Sequence, residues 1–142
     1  MANMSDWLEG ILSSHVLGSG TFSKPAVIAI ALCRNSPTDA QTGATIPEVA
    51  NANAYARQTL NPSASNWTDP VGVGGAASNL AAITFPTNIT ADWGWVSGVA
   101  ILDSATYGAG NVLFRGDVTT PKLVQVGDAY RFSIGNLTVT FA

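Results

Sequence analysis

Apolar and polar residues alternate in short runs along residues 83–142, and Gly, Asp and Pro interrupt these runs. Alternation with a period of two is typical of half-buried β-strands, and the three interrupting residue types favour turns. Because turns recur about every 8–12 residues, the pattern predicts a mainly β fold, an antiparallel β-sandwich. The predicted strands of this segment include 95–102, 111–116, 122–126, 130–132 and 136–142.

The N-terminal segment has the pattern of a short helix at about 5–17. Asp6 is a candidate N-cap residue with Glu9 three positions later, and Gly18 follows the last apolar position. The apolar residues that this helix would place on or beside one face are Trp7, Leu8, Ile11, Leu12 and Val16.

The apolar run PAVIAIALC at 25–33 predicts a strand that is buried on both faces. The β-sandwich then spans about 25–142. Since 142 residues suffice for one core of ordinary size, we expect a single domain over 1–142.

Charged residues are only 11% of the chain, less than half the usual share, whereas the hydrophobic share of 46% is ordinary. Small neutral side chains therefore cover much of the surface, which favours burial against neighbouring subunits. The six basic residues are scattered and the net charge is −3, so we expect no nucleic-acid partner. No apolar run approaches the length of a membrane span, and we expect no membrane partner.

Catalytic chemistry is poorly provided for. The chain has one His and one Cys, too few for a structural zinc site, and no G-x-S-x-G elbow accompanies His15. The carboxylates at 92, 103, 117 and 128 stand at predicted strand ends, where Asp is an expected turn residue rather than half of a glycosidase pair. We predict no catalytic, metal or cofactor-binding residues and no enzyme activity.

Two long polar loops, 35–54 and 61–75, are unusual in a compact domain and are expected to make contacts. The glycine-rich stretch 71–78 lacks the Lys-Ser/Thr of a phosphate-binding loop and predicts a turn. With the helix face, these loops supply the predicted interface residues, which are Trp7, Leu8, Ile11, Pro37, Pro47 and Trp67.

An alternative kind of site is a carbohydrate surface. Trp93 and Trp95 are two positions apart, so strand alternation would place both on one side, where core or interface packing is the commoner role. With Tyr107 they are the candidate glycan contacts.

Several segments together resemble a family of small tailed-phage virion proteins commonly labelled tail fibre protein. The helix and PAVIAIAL match the family's opening, so the resemblance covers nearly the whole chain. The other segments are YARQ (55–58), ITFP (83–86), ADWGWVSGVAILD (91–103), LFRGDVTTPKLVQVGD (113–128) and YRFSIGNLTVTFA (130–142). The resemblance implies a virion structural protein that partners other virion proteins, either the major capsid protein or tail subunits.

Fibres usually gain length from coiled-coil heptads or repeated β-units, and this chain has neither. The main prediction is therefore a capsid decoration or cement protein that stabilises the shell. The alternative is a tail fibre or baseplate-associated subunit with a carbohydrate-binding role. We expect a homo-oligomer, with a trimer as one arrangement, and virion localisation after synthesis in the host cytoplasm. A signal peptide is not expected, because Asp6 and Glu9 stand where an export signal carries basic residues.

Overall fold

The structure is a computed structural model that describes residues 1–71 and 74–141. It is mainly β, with 32% strand and 9% helix, and it comprises a curled seven-stranded sheet and a small second sheet. The predicted fold class is thereby confirmed. The elements are β1 (Ala2–Met4), α1 (Asp6–Leu17), β2 (Ala29–Cys33), β3 (Gln58–Thr59), β4 (Ala76–Ser78), β5 (Ile83–Thr84), β6 (Gly94–Leu102), β7 (Val112–Val124), β8 (Arg131–Phe132) and β9 (Thr138–Thr140).

The large sheet has the strand order β3-β2-β6-β7-β1-β9-β4, and β5 pairs with β8 in the small sheet. Its centre is the long β6–β7 pair, which is antiparallel. Strand β1 lies between β7 and β9, antiparallel to the first and parallel to the second. The beginning and end of the described chain therefore pair with each other, Ala2 opposite Val139.

Both faces of β2 are buried. Ile30 and Leu32 of β2 belong to the larger hydrophobic cluster, whereas Ala31 and Cys33, which alternate with them, belong to a smaller cluster on the other face. The smaller cluster is completed by Ile46, which comes from the 35–54 segment. The prediction of a doubly buried strand is confirmed, although the strand begins at Ala29 rather than at residue 25.

Helix α1 occupies the predicted place, but its cap differs from the prediction. Ser5 is the N-cap residue, and its side chain accepts a hydrogen bond from the Leu8 amide. Asp6 is instead the first helical residue, where its charge favours the positive end of the helix. Ser5 is favoured as the N-cap because its hydroxyl also donates a hydrogen bond to the Val112 carbonyl, and this bond joins the start of the helix to β7.

Burial decreases along α1. Leu8 is buried, Ile11 and Leu12 are half-buried, and Val16 is 74% exposed. The predicted apolar face is thus correct in its first two turns and wrong at Val16, because the last turn of the helix extends beyond the core that the first turns cover.

The segments 111–116 and 122–126 were expected as separate strands, and the structure joins them in β7. Opposite them, the pairing jumps from Val96–Lys122 to Gly98–Asp117, so β7 carries extra residues in a bulge. Because the bulge interrupts the regular alternation along β7, the sequence pattern predicts two strands where the structure has one. The predicted 71–78 turn contains β4 at its end, and its residues 72 and 73 lie outside the described residues.

Candidate interaction surfaces

The helix residues predicted to form an interface have three different environments. Trp7 is 39% exposed and accessible, and Ile11 is half-buried against the larger core cluster. Leu8 is 3% exposed and lies in that cluster. The prediction that Leu8 forms a surface contact was wrong, because its side chain lies under the first helical turn and faces β7 and the core.

The two loop prolines that were predicted as interface residues are also at least half-buried. Pro37 is buried, and its ring lies where a side chain on Gly98 would come within 2.8 Å of it. Pro47 is half-buried, and its carbonyl accepts a 2.8 Å hydrogen bond from the Arg34 amide. The 35–54 segment covers the second face of the sheet, so Pro37 was wrong as an accessible contact.

That segment is fastened by an arrangement that we call the clamp, Glu48, Tyr55 and Arg57. Glu48 and Arg57 form a two-point ion pair at 2.9 and 2.8 Å, and their side chains are 3% and 0% exposed. Tyr55 donates a 2.7 Å hydrogen bond to the same carboxylate and accepts one from the Leu32 amide. The clamp therefore fastens the connection between β2 and β3 to strand β2.

Arg57 uses its remaining donors on backbone carbonyls. It donates to Gly43 in the 35–54 segment, and to Ser104 and Ala109 in the connection between β6 and β7. All five guanidinium N–H groups are thus satisfied, which a buried arginine requires. Sequence reasoning missed the clamp; its only signal was a pair of charges, Glu48 and Arg57, within a chain that has few.

Electrostatics at the clamp follow from burial. Burial raises the pKa of Tyr55 far above its ordinary value of 10.0, and the charge and hydrogen bond of Glu48 raise it further. Burial alone would lower the pKa of Arg57, but its hydrogen bond and charge interaction with Glu48 raise it. Burial likewise raises the pKa of the Cys33 thiol, followed by the charge of Glu48. These groups stay in their ordinary protonation states, and the thiol stays unreactive.

Trp67 lies in a different setting, the wall of an open apolar groove with a volume of about 590 Å³. Its indole Nε1 donates a 2.9 Å hydrogen bond to the Leu60 carbonyl, which fixes the ring. Leu80 and Phe141, 40% and 43% exposed, also line the groove. Throughout, "the groove" means the cleft lined by Ile28, Trp67, Leu80, Ile101, Phe114, Val139 and Phe141, with Lys24 and Asp69 among its polar residues.

The predicted glycan contacts separate into two places. Trp93 is 4% exposed, donates from Nε1 to the Asn53 carbonyl at 2.9 Å and packs edge-on against Tyr55 at 5.4 Å. Trp95 is 56% exposed. The two rings were expected on one side of a strand, and this was wrong because Gly94 between them has φ +84°, which turns the chain as it enters β6.

Trp95 lines a small open cleft with Arg34, Asn35, Pro47 and Glu48. Tyr107 is 38% exposed and packs edge-on against Tyr55, with the Arg57 guanidinium 6.0 Å from its ring centre. Trp93 is therefore a core residue and Tyr107 covers the clamp, and Trp95 is the predicted glycan contact that is most accessible.

The four carboxylates weighed as a hydrolytic pair have local partners. Asp103 binds the amide and the side chain of Asn111, and Asp128 and Asp92 accept from the amides of Gln125 and Val126. Asp117 accepts from the Ser36 hydroxyl. Within residues 1–71 and 74–141, no three His, Cys, Asp or Glu residues lie together in the way a metal ion needs. Over the same ranges, no helix combines the length and apolar character that crossing a membrane requires.

A mainly β fold with few charged residues, an open apolar groove and carboxylates engaged in hydrogen bonds within the chain is typical of a structural subunit. The chain belongs to the family described as Podophage GP4 fiber I protein gp80, whose model matches residues 3–140. No curated protein matches it. The resemblance to tail fibre proteins is confirmed, and the chain is a bacteriophage virion structural protein.

The family favours the tail fibre alternative over the capsid decoration prediction. The expectation behind the decoration prediction, that a fibre protein needs heptads or repeats, does not fit a fibre family whose match spans this small chain. Interaction with other virion proteins and a virion location follow at the level of the family.

Proposed function

We propose that this chain is a non-enzymatic subunit of the phage tail fibre, held in the virion by its apolar surfaces. The observation that carries the proposal is the match of residues 3–140 to a fibre family. The low share of charged residues, 11%, supports it, and large apolar side chains such as Trp7, Leu17 and Phe141 remain exposed.

Electron cryomicroscopy of intact virions tests the location. We expect density of this size on the tail, and we expect particles that lack the protein to keep the heat resistance of their shell. Density distributed over the shell, together with a lower temperature of shell rupture in particles without the protein, would support the decoration prediction instead.

Trp7 is the accessible part of the predicted helix interface and supplies a specific variant. We expect Trp7→Ala to reduce incorporation into particles while the isolated protein stays folded, because the ring is only partly buried at 39% exposure. Val126→Ala, at a 53% exposed position in a turn, is the control and should leave incorporation unchanged. Unfolding of the Trp7 variant would assign this ring to the core.

A second function, carbohydrate binding, is favoured by the cleft at Trp95. An exposed indole beside the guanidinium of Arg34 and the amide of Asn35 offers an apolar face with adjacent hydrogen-bonding groups, which is the arrangement of many small-ligand sites. We expect Trp95→Ala to weaken binding to bacterial surface glycans by about tenfold or more, equal to about 1.4 kcal/mol. Trp95→Phe should retain part of the binding, and absence of binding by the wild-type protein on a glycan array would refute this function.

A further inference from the structure

Another cleft, with a volume of about 870 Å³, lies on a different part of the molecule. One of its walls is formed by residues 115–120 of β7, and the opposite wall by residues from the segment 135–138, which leads into β9. We call this cleft the slot. It shares no lining residue with the groove or with the cleft at Trp95, so it is a separate surface.

The slot continues the line that β1 follows in the large sheet. Strand β1 lies between β7 and β9, and its residue Ala2 is opposite both Gly116 and Val139. Beyond Ala2, one wall goes on to Asp117 and the other to Thr138, and the slot opens between them. Strands that flank a third strand lie about 9–10 Å apart, since neighbouring strands are spaced by about 4.8 Å. At its β1 end the slot therefore has the width of one extended chain.

The β7 wall of the slot carries backbone groups that have no strand partner. The pairing of β7 with β6 passes from Lys122 directly to Asp117, and its pairing with β1 ends at Gly116. Within the part of the chain that the structure describes, residues 118–120 therefore pair with no strand, and no backbone hydrogen bond outside the ladders reaches them. Unpaired N–H and C=O groups along a strand are a template to which a further strand adds.

The opposite wall is a strand edge as well. Thr138 pairs with Ser78 of β4 on one side, whereas the pairing of β9 with β1 begins at Val139. On the side of the slot, Thr138 thus has no strand partner among residues 1–71 and 74–141. A segment that runs in the direction of β1 would lie antiparallel to β7 and parallel to β9, with a strand edge on each side. The occupant that matches two strand edges is an extended peptide, because its own backbone groups repeat at the same spacing.

The side chains around the slot indicate the chemistry of this peptide. Arg131 of β8 lines the slot, is exposed and forms no ion pair with any described residue. Arg115 and Asp117 also line the slot, but they already have partners in Asp39 and Ser36. The cation that is left for a ligand is therefore Arg131, and a carboxylate complements it.

We propose that an extended segment of another virion protein enters the slot and adds a strand in line with β1, with an acidic side chain paired to Arg131. Backbone hydrogen bonds to residues 118–120 supply most of the affinity, and the acidic side chain fixes the register. The proposal deepens the tail fibre function, on which it rests for the presence of neighbouring virion proteins.

Hydrogen exchange tests the added strand. We would compare the purified protein with the same protein in intact virions and follow the amides of residues 118–120. We expect these amides to exchange at least about tenfold more slowly in virions, because there they donate to the added strand. The amides of β2, which pair with β6 in both states, are the internal control. Equal exchange of 118–120 in the two states would overturn the proposal.

Photochemical crosslinking in virions identifies the occupant. A photoreactive amino acid would replace Thr119 in one variant and Asn136 on the opposite wall in another, with Val126 as a control position that is 53% exposed and outside the slot. We expect the two slot variants to link to one short segment of a single other virion protein, and this segment to contain Asp or Glu. Links to scattered segments, to a second copy of this chain or to a bacterial glycan added to the virions would refute the proposal.

A charge variant gives a third measurement. Arg131→Gln should lower incorporation into particles by about twofold to fivefold, as expected for the loss of one exposed ion pair, and Arg131→Lys should retain most of it. Arg34→Gln, the same change at an exposed arginine outside the slot, is the matched control and should leave incorporation unchanged. Incorporation that is equal in Arg131→Gln and Arg34→Gln would contradict the predicted pairing. A position of the protein on the shell would bear on the tail fibre function alone, whereas unprotected amides at 118–120 in a tail-bound protein would refute only the added strand.

Discussion

The clamp and the groove use the same charge-poor sequence in opposite ways. At the clamp, two of the few charged residues are buried, and Glu48 and Arg57 satisfy each other and three loop carbonyls. At the groove, core residues such as Phe114 remain reachable from outside, and the polar residues stand among apolar walls. The polar groups of the clamp are satisfied within the chain, whereas the groove leaves apolar surface accessible from outside.

The difference shows where this protein uses its charges. Both ion pairs of the described residues hold the connection between β2 and β3 in place: Glu48 pairs with Arg57, and Asp39 pairs with Arg115 of β7. These four residues are therefore engaged within the chain, in a sequence of which only 11% is charged. A surface poor in charge suits a subunit that contacts neighbours in the virion.

Breaking the clamp should have the largest effect on stability. Arg57→Met leaves the buried Glu48 carboxylate without its cation and with only the Tyr55 hydroxyl as a hydrogen-bond partner, and we expect a loss of about 3–5 kcal/mol in the free energy of unfolding. Urea denaturation followed by tryptophan fluorescence measures it. Arg115→Met, the same change in a partly exposed ion pair, is the control and should cost about 1 kcal/mol or less. Equal losses in both variants would show that the buried ion pair of the clamp contributes no more to stability than the partly exposed pair.

Alkaline pH should have the next largest effect, because it lowers the free energy of unfolding through Tyr55 of the clamp. Burial raises the pKa of Tyr55 above its ordinary 10.0, so above that pH the unfolded chain releases a proton that the folded chain retains. The folded state then binds more protons, and stability falls as pH rises by about 1.4 kcal/mol per unit for each such group.

The slope of unfolding free energy between pH 10 and 11 measures this effect. Tyr55→Phe should reduce the slope over this interval by about 1 kcal/mol per pH unit, because an unfolded tyrosine with a pKa of 10.0 is only partly ionised there. Burial also raises the pKa of Tyr130, so part of the slope remains in the variant. An unchanged slope would mean that Tyr55 ionises as readily in the folded protein as in the unfolded chain.

The turn that separates Trp93 from Trp95 gives a smaller effect. Gly94→Ala places a side chain at φ +84° and within 3.1 Å of the Arg34 guanidinium, so we expect a loss of about 1–2 kcal/mol. Gly10→Ala is a control of opposite sign. It lies in α1 with no atom near the new methyl group and should stabilise the protein by up to about 1 kcal/mol. Thermal denaturation distinguishes the two.

A substitution at Leu17, in the last turn of α1, should have the smallest effect on stability. Leu17→Ala should change the free energy of unfolding by less than about 0.5 kcal/mol, because the side chain is 87% exposed. The same substitution at Leu8, which is 3% exposed, should cost about 2–5 kcal/mol. A large loss at Leu17 would place its side chain in the core and remove the contrast between the first and last turns of α1.

Periodicity in the sequence predicted the parts of the fold that local patterns determine. The alternation at 95–102 gives β6, and the doubly apolar run ending at Cys33 gives β2. Strand β1 was missed because three residues are too few to show a period, and its position depends on partners in β7 and β9 that are far away in sequence. The bulge in β7 likewise depends on the opposing strand.

Candidate site residues were harder to predict, since accessibility is a tertiary property. Trp95 is exposed and Trp67 is half-buried in the wall of the groove, whereas Leu8, Pro37 and Trp93 are buried by segments that pack over them. Nothing local to Glu48 or Arg57 reveals that the two side chains meet. Whether the named residues act as an interface or a glycan site stays a prediction that the experiments above decide.

The parallel pairing of β1 with β9 has a consequence for the order of events during synthesis. Ala2 and Asn3 are made well before their partners, because Val139 and Thr140 lie near the other end of the described residues. Strand β1 must therefore wait, unpaired on the β9 side, until the residues of β9 have been made. Its antiparallel partner in β7 also arrives late, so the sheet closes as a late, long-range step of the kind that makes folding slow.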